Sequence, residues 1–514
     1  MFSSTSLRAS PKIRTEPSKE ARAGLGETTR RTEVRRGGAT TGCDADLQLG
    51  DGRVLGLARR ACFCAGLASA LLFAGSAKAE IFLLKKDKPN DWEVSTNGRV
   101  DSYLNWIGGE TINTGNSGNL VDPNNPAAID RYILVGPQIP IRGNPSPAGA
   151  LGNATTDKDL STFRIRGGFA STILAFNVYK QILPDVKLTI KMALWAGIQN
   201  GLNSSNFRQF NDSASVDFRE QYMDLSGSWG AAWGGRRIGL FNRGGMKMDW
   251  FLIHQHGVGH PCDVDSNASA TCGHTGVGSM FPARHAQIGY ATPNLAGLQL
   301  SLAVLDPAMI DQFWNRTIAP RFEGELVFHK DMTDRPVGKD EINVWANGLT
   351  QMIGRTGESP RNLPDPGIPA DSVRSVWGAG GGVWGRFVGF GIGATGWYGK
   401  GLGTAWALGN TAIDNVGELR THFGYLAAAN YRVSNFELAA SYGSTNAKET
   451  AWDASPQNPI KLSVIKEVRG IGYKLAYHMT PVVFSIDGMI LRYTWHRGEV
   501  QNANTISAGM LAEW

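Results

Sequence analysis

The sequence predicts an all-β chain: a transmembrane antiparallel β-barrel of about sixteen strands. Three observations predict it. After Ala79 no stretch reads as a convincing membrane-spanning helix, although an export signal precedes that point. Segments of roughly ten residues that alternate apolar and polar side chains recur to the end of the chain, and the last closes on an aromatic, Trp514. The connections between these segments alternate long and short. In lipid only helices and closed barrels satisfy every backbone polar group. An exported chain of alternating segments points to the barrel.

The export signal lies inside the given sequence. Arg53, Arg59 and Arg60 supply a positive start, Ala65–Ala74 (AGLASALLFA) a short apolar run, and Ala77-Lys78-Ala79 an A-x-A cleavage site. That apolar run is too short to span a bilayer as a helix. The reading is therefore a signal peptide over 54–79 and a mature chain from Glu80 over 80–514. Residues 1–53 are polar, rich in Arg, Thr and Gly, and without periodicity. They read either as sequence upstream of a true start near Val54 or as a disordered extension.

Charge must be read on the mature chain. The whole sequence holds 51 Lys and Arg against 45 Asp and Glu. Residues 1–79 take 13 of the basic and 7 of the acidic residues, so 38 of each remain. The basic balance belongs to the leader, and no nucleic-acid partner follows from it. Slightly negative mean hydropathy is odd for a helical membrane protein and ordinary for a barrel with a wet lumen. Of five cysteines only Cys262 and Cys272 follow the cleavage site. A close pair in an exported chain reads as a disulfide, worth about 2–3 kcal/mol by the chain-entropy argument.

Period-two alternation and turn residues place sixteen strands. They fall near 93–106, 161–179, 186–199, 216–229, 235–242, 283–292, 297–306, 321–330, 340–353, 373–384, 386–398, 417–431, 435–443, 463–478, 482–495 and 504–514. Tight turns are read at Gln181–Asp185 (QILPD), Gly230–Gly234, Pro293–Ala296 (PNLA), Arg432–Ser434 and Met479–Pro481. Long connections are read at Ile107–Leu160, Asn200–Ser215, Arg243–Pro282, 307–320, 354–372 and 399–416. Val376–Gly399 carries a single charge, Arg386, and could be mistaken for a spanning helix. Ten of its residues are Gly, which disfavours a helix and fits two strands.

Alternation also assigns faces. Arg99, Asp101 and Tyr103 share one face of the first strand; Val100, Ser102 and Leu104 share the other. Arg164 and Arg166 oppose Phe163 and Ile165. Lys187, Thr189 and Lys191 oppose Leu188, Ile190, Met192 and Leu194. A charge facing lipid at midplane costs about 2–4 kcal/mol, so the charged faces should line the lumen. The fourth strand conflicts: Arg219 and Gln221 oppose Phe218, Glu220 and Tyr222, and neither face is clean.

Four passages resemble the general bacterial porins. They are Ser95–Trp106 (STNGRVDSYLNW), Phe218–Phe241 (FREQYMDLSGSWGAAWGGRRIGLF), Ala283–Val304 (ARHAQIGYATPNLAGLQLSLAV) and the terminal NTISAGMLAEW. The last looks like the strand read by the barrel-assembly machinery, though the family usually ends in Phe and this chain ends in Trp514. The third loop also lacks the family's acidic PEFGG segment. The resemblance implies a homotrimer in the outer membrane, in contact with membrane lipid and open to small hydrophilic solutes. It also implies an inward-folded third long loop that narrows the lumen. By strand count that loop is Arg243–Pro282.

A passive pore acts through diameter and lining charge. The resemblance sets loop acids, here Asp249, Asp263 and Asp265, against wall bases, for which Arg99, Arg164, Arg166, Lys187 and Lys191 are the candidates. The bland alternative is that the acids are solvated surface charges. Four histidines crowd the loop: His254, His256, His260 and His274. With Cys262 and Cys272 they suggest zinc, but the spacing fits no firm template and a disulfide removes the thiolates. Protonation gating by these histidines is a further alternative, and polar filler the plainest. No cofactor and no metal is expected. A hydrolase would need a nucleophile with a positioned His, and no G-x-S-x-G elbow is present. A substrate-specific channel and a plugged structural or adhesive barrel remain as alternatives.

Overall fold

The structure, a computed structural model, describes residues 80–86, 88, 91–109, 112–113, 131–134, 140–142, 160–168, 172–196, 216–249, 273–310, 314–335, 338–356, 368–369, 371–409, 411–414, 416–456, 465–496, 498 and 500–514. The signal peptide, Cys262, Cys272, Asp263 and Asp265 lie outside them.

Sixteen antiparallel strands close on themselves. They are β1 (Glu93–Gly109), β2 (Leu160–Arg166 and Thr172–Leu183), β3 (Val186–Ala196), β4 (Val216–Gly227), β5 (Gly230–Ile238), β6 (Arg284–Ala291), β7 (Leu298–Leu305) and β8 (Arg321–Thr333). Then come β9 (Asp340–Gly354), β10 (Val373–Phe387), β11 (Phe390–Lys400), β12 (Thr421–Val433), β13 (Phe436–Ala447), β14 (Ile465–Met479), β15 (Val482–Trp495) and β16 (Val500–Glu513). Each strand pairs with its neighbours in sequence, and β1 pairs with β16 from Arg99↔Glu513 to Gly109↔Ala503. Closure removes the sheet edges that lipid cannot satisfy. Among the described residues no helix is long and apolar enough to cross a membrane.

The seam is finished by Trp514, whose N–H and C=O both bond to Gly98. A Cβ at Gly98 would press on the Trp514 indole. Ile81–Leu84 continues the same edge, pairing with Val94–Thr96. Glu80 anchors that segment by accepting hydrogen bonds from Ser95 Oγ, Asn177 Nδ2 (3.2 Å) and Tyr179 OH (3.0 Å).

The wall is inverted relative to a water-soluble protein. Outward positions carry exposed apolar groups, such as Ile288 at 73% and Phe163 at 67%, while inward Tyr103 and Asn105 are at 1% and 0%. So much exposed apolar surface suits lipid and would aggregate in water. The alternation read from sequence holds for β1 and β3. The β4 conflict has a physical cause: Ala193 pairs with Glu220 and Leu194 with Phe218, so Arg219 is the extra residue of a β-bulge. The bulge lets Arg219 and Glu220 both lean inward while Phe218 and Gln221 stay outside.

Other expectations needed correction. Gly230–Gly234 is strand, and the turn is Ser228-Trp229. Its Trp233 packs on β6, where the ring lies in the place a Cβ at Gly289 would take. Val376–Gly399 is two strands, as expected, but they turn at Val388-Gly389 rather than near Gly385. The β2 strand breaks at Gly167-Gly168, where the Asp101 carboxylate accepts the Gly168 N–H (3.1 Å). The first long connection holds a small sheet, Ile112–Asn113, Arg131–Leu134 and Pro140–Arg142, which alternation alone did not reveal.

Candidate functional site: the third connection and the wall it meets

The third connection leaves β5 through Leu240 and Phe241, whose N–H groups bond to one Glu323 Oε2 on β8 (2.5 and 3.0 Å). Arg321, two residues away on the same face, ion-pairs with Glu323. Asn242 follows at φ 60°, a left-handed conformation that Asn tolerates. Its Nδ2 donates to Met280 O (2.6 Å), tying the outgoing limb to the returning one. The short helix α1 (Arg243–Met248) begins there, and Arg243 Nε reaches Glu325 on β8 (2.9 Å). Met248 packs with Trp345 of β9 and Leu426 of β12.

The returning limb meets the opposite wall. The Asp249 carboxylate accepts the His274 N–H (2.6 Å) and lies 3.1 Å from His274 Nδ1. His274 Nε2 is 2.9 Å from Ser441 Oγ on β13. Gly278 N–H donates to Thr445 Oγ1 (2.8 Å), and Trp397 Nε1 on β11 donates to Gly278 O (3.0 Å). Val277 packs among Val468, Met489, Leu491 and Tyr493 of β14 and β15. The Asp249–His274–Ser441 array has the outline of a hydrolase relay, but all three groups are buried and together fasten the loop.

The expected site residues divide. Arg99 faces inward, 3.8 Å from Asp101 and 3.8 Å from Glu513. Arg164 and Arg166 stand at register positions opposite Asn105 and Tyr103, on the inward face of β2. Lys187 is exposed, its Nζ 4.5 Å above the Tyr179 ring. Lys191 binds Glu220 (3.0 Å), which also meets Arg284 (3.4 Å). Asp249 is placed differently from expectation. Its carboxylate is enclosed by the His274 contacts, so it is a staple within the loop rather than a charge facing open solvent.

Several lumen groups escaped the sequence reading. Arg237 pairs with Asp224 (2.7 Å) and stacks on Tyr222 and Trp233. Arg219 and Arg284 lie over the Trp195 ring, at 4.9 and 4.0 Å. The alternation Arg321-Phe-Glu323-Gly-Glu325 was a readable signal for the β8 anchor. Lys247 on α1 keeps an exposed side chain. Desolvation inside the barrel, and then the like charge of Arg243, lower its proton affinity below an ordinary lysine's.

A closed sixteen-stranded barrel is a channel architecture. The sequence profile of the Gram-negative porins matches residues 66–510. The chain belongs to that family. This porin is thus an outer-membrane barrel for passive passage of solutes. Its fold is similar to the outer membrane channel DcaP of Acinetobacter baumannii, at 14% identity and TM-score 0.53, over 84% of this chain and 99% of that one. Similar too are an anion-selective porin from Comamonas acidovorans (12%, TM-score 0.48, 82% and 100%) and OmpF of Salmonella typhi (11%, TM-score 0.46, 85% and 100%). No curated protein matches the sequence.

Proposed function

We propose that this porin is a general diffusion pore with a fixed constriction and a weak preference for anions. The observation that carries the constriction is the span of the third connection, rooted on β8 and fastened on β11, β13, β14 and β15. A loop so held narrows the lumen permanently. The ion preference rests on pairing. Glu220, Asp224, Glu323 and Glu325 each face a basic partner, and Asp249 is enclosed, whereas Lys187 and Lys247 are exposed residues and no carboxylate pairs with them among the described residues. Asp263 and Asp265 complete the loop's charge in this reading and moderate the preference.

The Asp249–His274 contact brings the two ends of the segment between them together, which suits a Cys262–Cys272 disulfide. A homotrimer is the assembly that the porin family membership supports. Export with cleavage after Ala79 is supported by the anchoring of Glu80 on the barrel, and the closing contacts of Trp514 suit recognition of the last strand by the assembly machinery.

The experiment is conductance of the refolded mature chain in a planar bilayer under a salt gradient. Stepwise openings with a reversal potential of anionic sign support the reading, and openings in triplets support the trimer. A folded barrel that conducts nothing would sink it in favour of a plugged structural barrel.

A further inference from the structure

We propose that His329, Asp331 and Glu341 bind a divalent transition-metal ion, zinc by preference, on the inner face at the turn end of β8 and β9. The register places them. Asp331 pairs with Glu341, and His329 with Asn343. His329 and Asp331 are two apart on one strand, as are Glu341 and Asn343 on the other, so all four share a face. That face is inward, because Trp345 two residues on is buried in the barrel while Val344 is exposed outside. One ligand atom from each of His329, Asp331 and Glu341 lies within 4.8 Å of the others. Ligands on metal arms near 2.1 Å stand roughly 3.4 Å apart, a spacing the His329–Asp331 pair, at 3.0 Å, already approaches.

The contacts around the cluster favour a metal. His329 Nδ1 is 2.8 Å from Asn343 Oδ1. An amide oxygen only accepts, so Nδ1 donates to it and Nε2 is the ring nitrogen turned toward the carboxylates. Nε2 is 3.0 Å from Asp331 Oδ1, another acceptor. When no ion is bound an N–H on Nε2 bridges that edge, and a divalent cation would take the place of that proton. Lys339 Nζ holds the other oxygen, Asp331 Oδ2, at 3.0 Å. Ligating histidines and carboxylates are typically oriented by such outer partners. One imidazole and two carboxylates suit zinc and its neighbours better than calcium. Three protein ligands leave a position for exchangeable water, and the exposed setting lets the ion come and go.

The test is calorimetric titration of zinc chloride into the refolded, detergent-held porin without an affinity tag, with calcium chloride as comparison. One saturable zinc site per chain is expected, with calcium much weaker. His329→Ala and the near-isosteric Glu341→Gln should each weaken it more than tenfold. No saturable zinc binding up to millimolar concentration would overturn the proposal. It would mean that His329 simply donates to both Asn343 and Asp331. Binding retained in both weakening variants would also overturn it, assigning the zinc to His254, His256 or their neighbours.

Discussion

The two ends of the third connection are held by different chemistry. At its root the loop is gripped by charge: Glu323 takes two backbone N–H groups and Arg321, and Glu325 takes Arg243. At the far wall it is held by neutral groups: Ser441, Thr445, the Trp397 indole and the packing of Val277. The difference teaches which end is fragile to what. A buried charged anchor is lost abruptly when one partner goes, because the other is left uncompensated. A neutral, packed anchor is lost in increments of about 1 kcal/mol.

The largest expected effect follows at the root. Glu323→Ala strands Arg321 and two N–H groups and should cost about 3–5 kcal/mol in denaturant unfolding of the folded barrel. It should also raise single-channel conductance as the loop loosens. At the far wall Gly443→Val is the strongest lesion, since a Cβ there would overlap the Val277 carbonyl. Overpacking should cost about 1–3 kcal/mol and widen the pore with the root intact. Ser441→Ala removes one neutral contact and should cost about 0.5–1.5 kcal/mol, with little change in conductance. Equal losses for Glu323→Ala and Ser441→Ala would break the contrast. The smallest effect on stability belongs to Lys247→Glu, within about 0.5 kcal/mol, yet it should move the reversal potential toward cations. In the parent protein the anion preference should fade as pH rises, beginning below the ordinary lysine value because that of Lys247 is lowered. A pH-independent reversal potential would remove Lys247 from the pore's charge.

How much of this was legible depends on the range of the interaction. All sixteen strands could be read because alternation is local, and the inward faces of Arg99, Lys187 and Lys191 followed from it. The bulge at Arg219 could not, since one extra residue shows only against its partner strand. The β5 strand was displaced because Gly230–Gly234 has a turn's composition, while at Gly230 the close approach of the Ala291 carbonyl leaves no room for a Cβ. Asp249 looked like any loop acid until His274 and Ser441, far off in sequence, enclosed it. His329 was passed over because strand faces were read on β1 to β3 and not on β8, although its i, i+2 spacing to Asp331 was in plain view.

The seam has a consequence for how the molecule is made. Trp514 bonds to Gly98, so the barrel closes only through contacts between the far ends of the chain. Bringing such distant residues together carries the greatest loop-closure entropy and is the slow kind of step in folding. Until it occurs, β1 offers an open edge. A chain cut short by a few residues would keep almost every hairpin and still expose that edge. One pairing event thus reports that the last strand is in place, and a copy without it is marked by the strand it leaves unmatched.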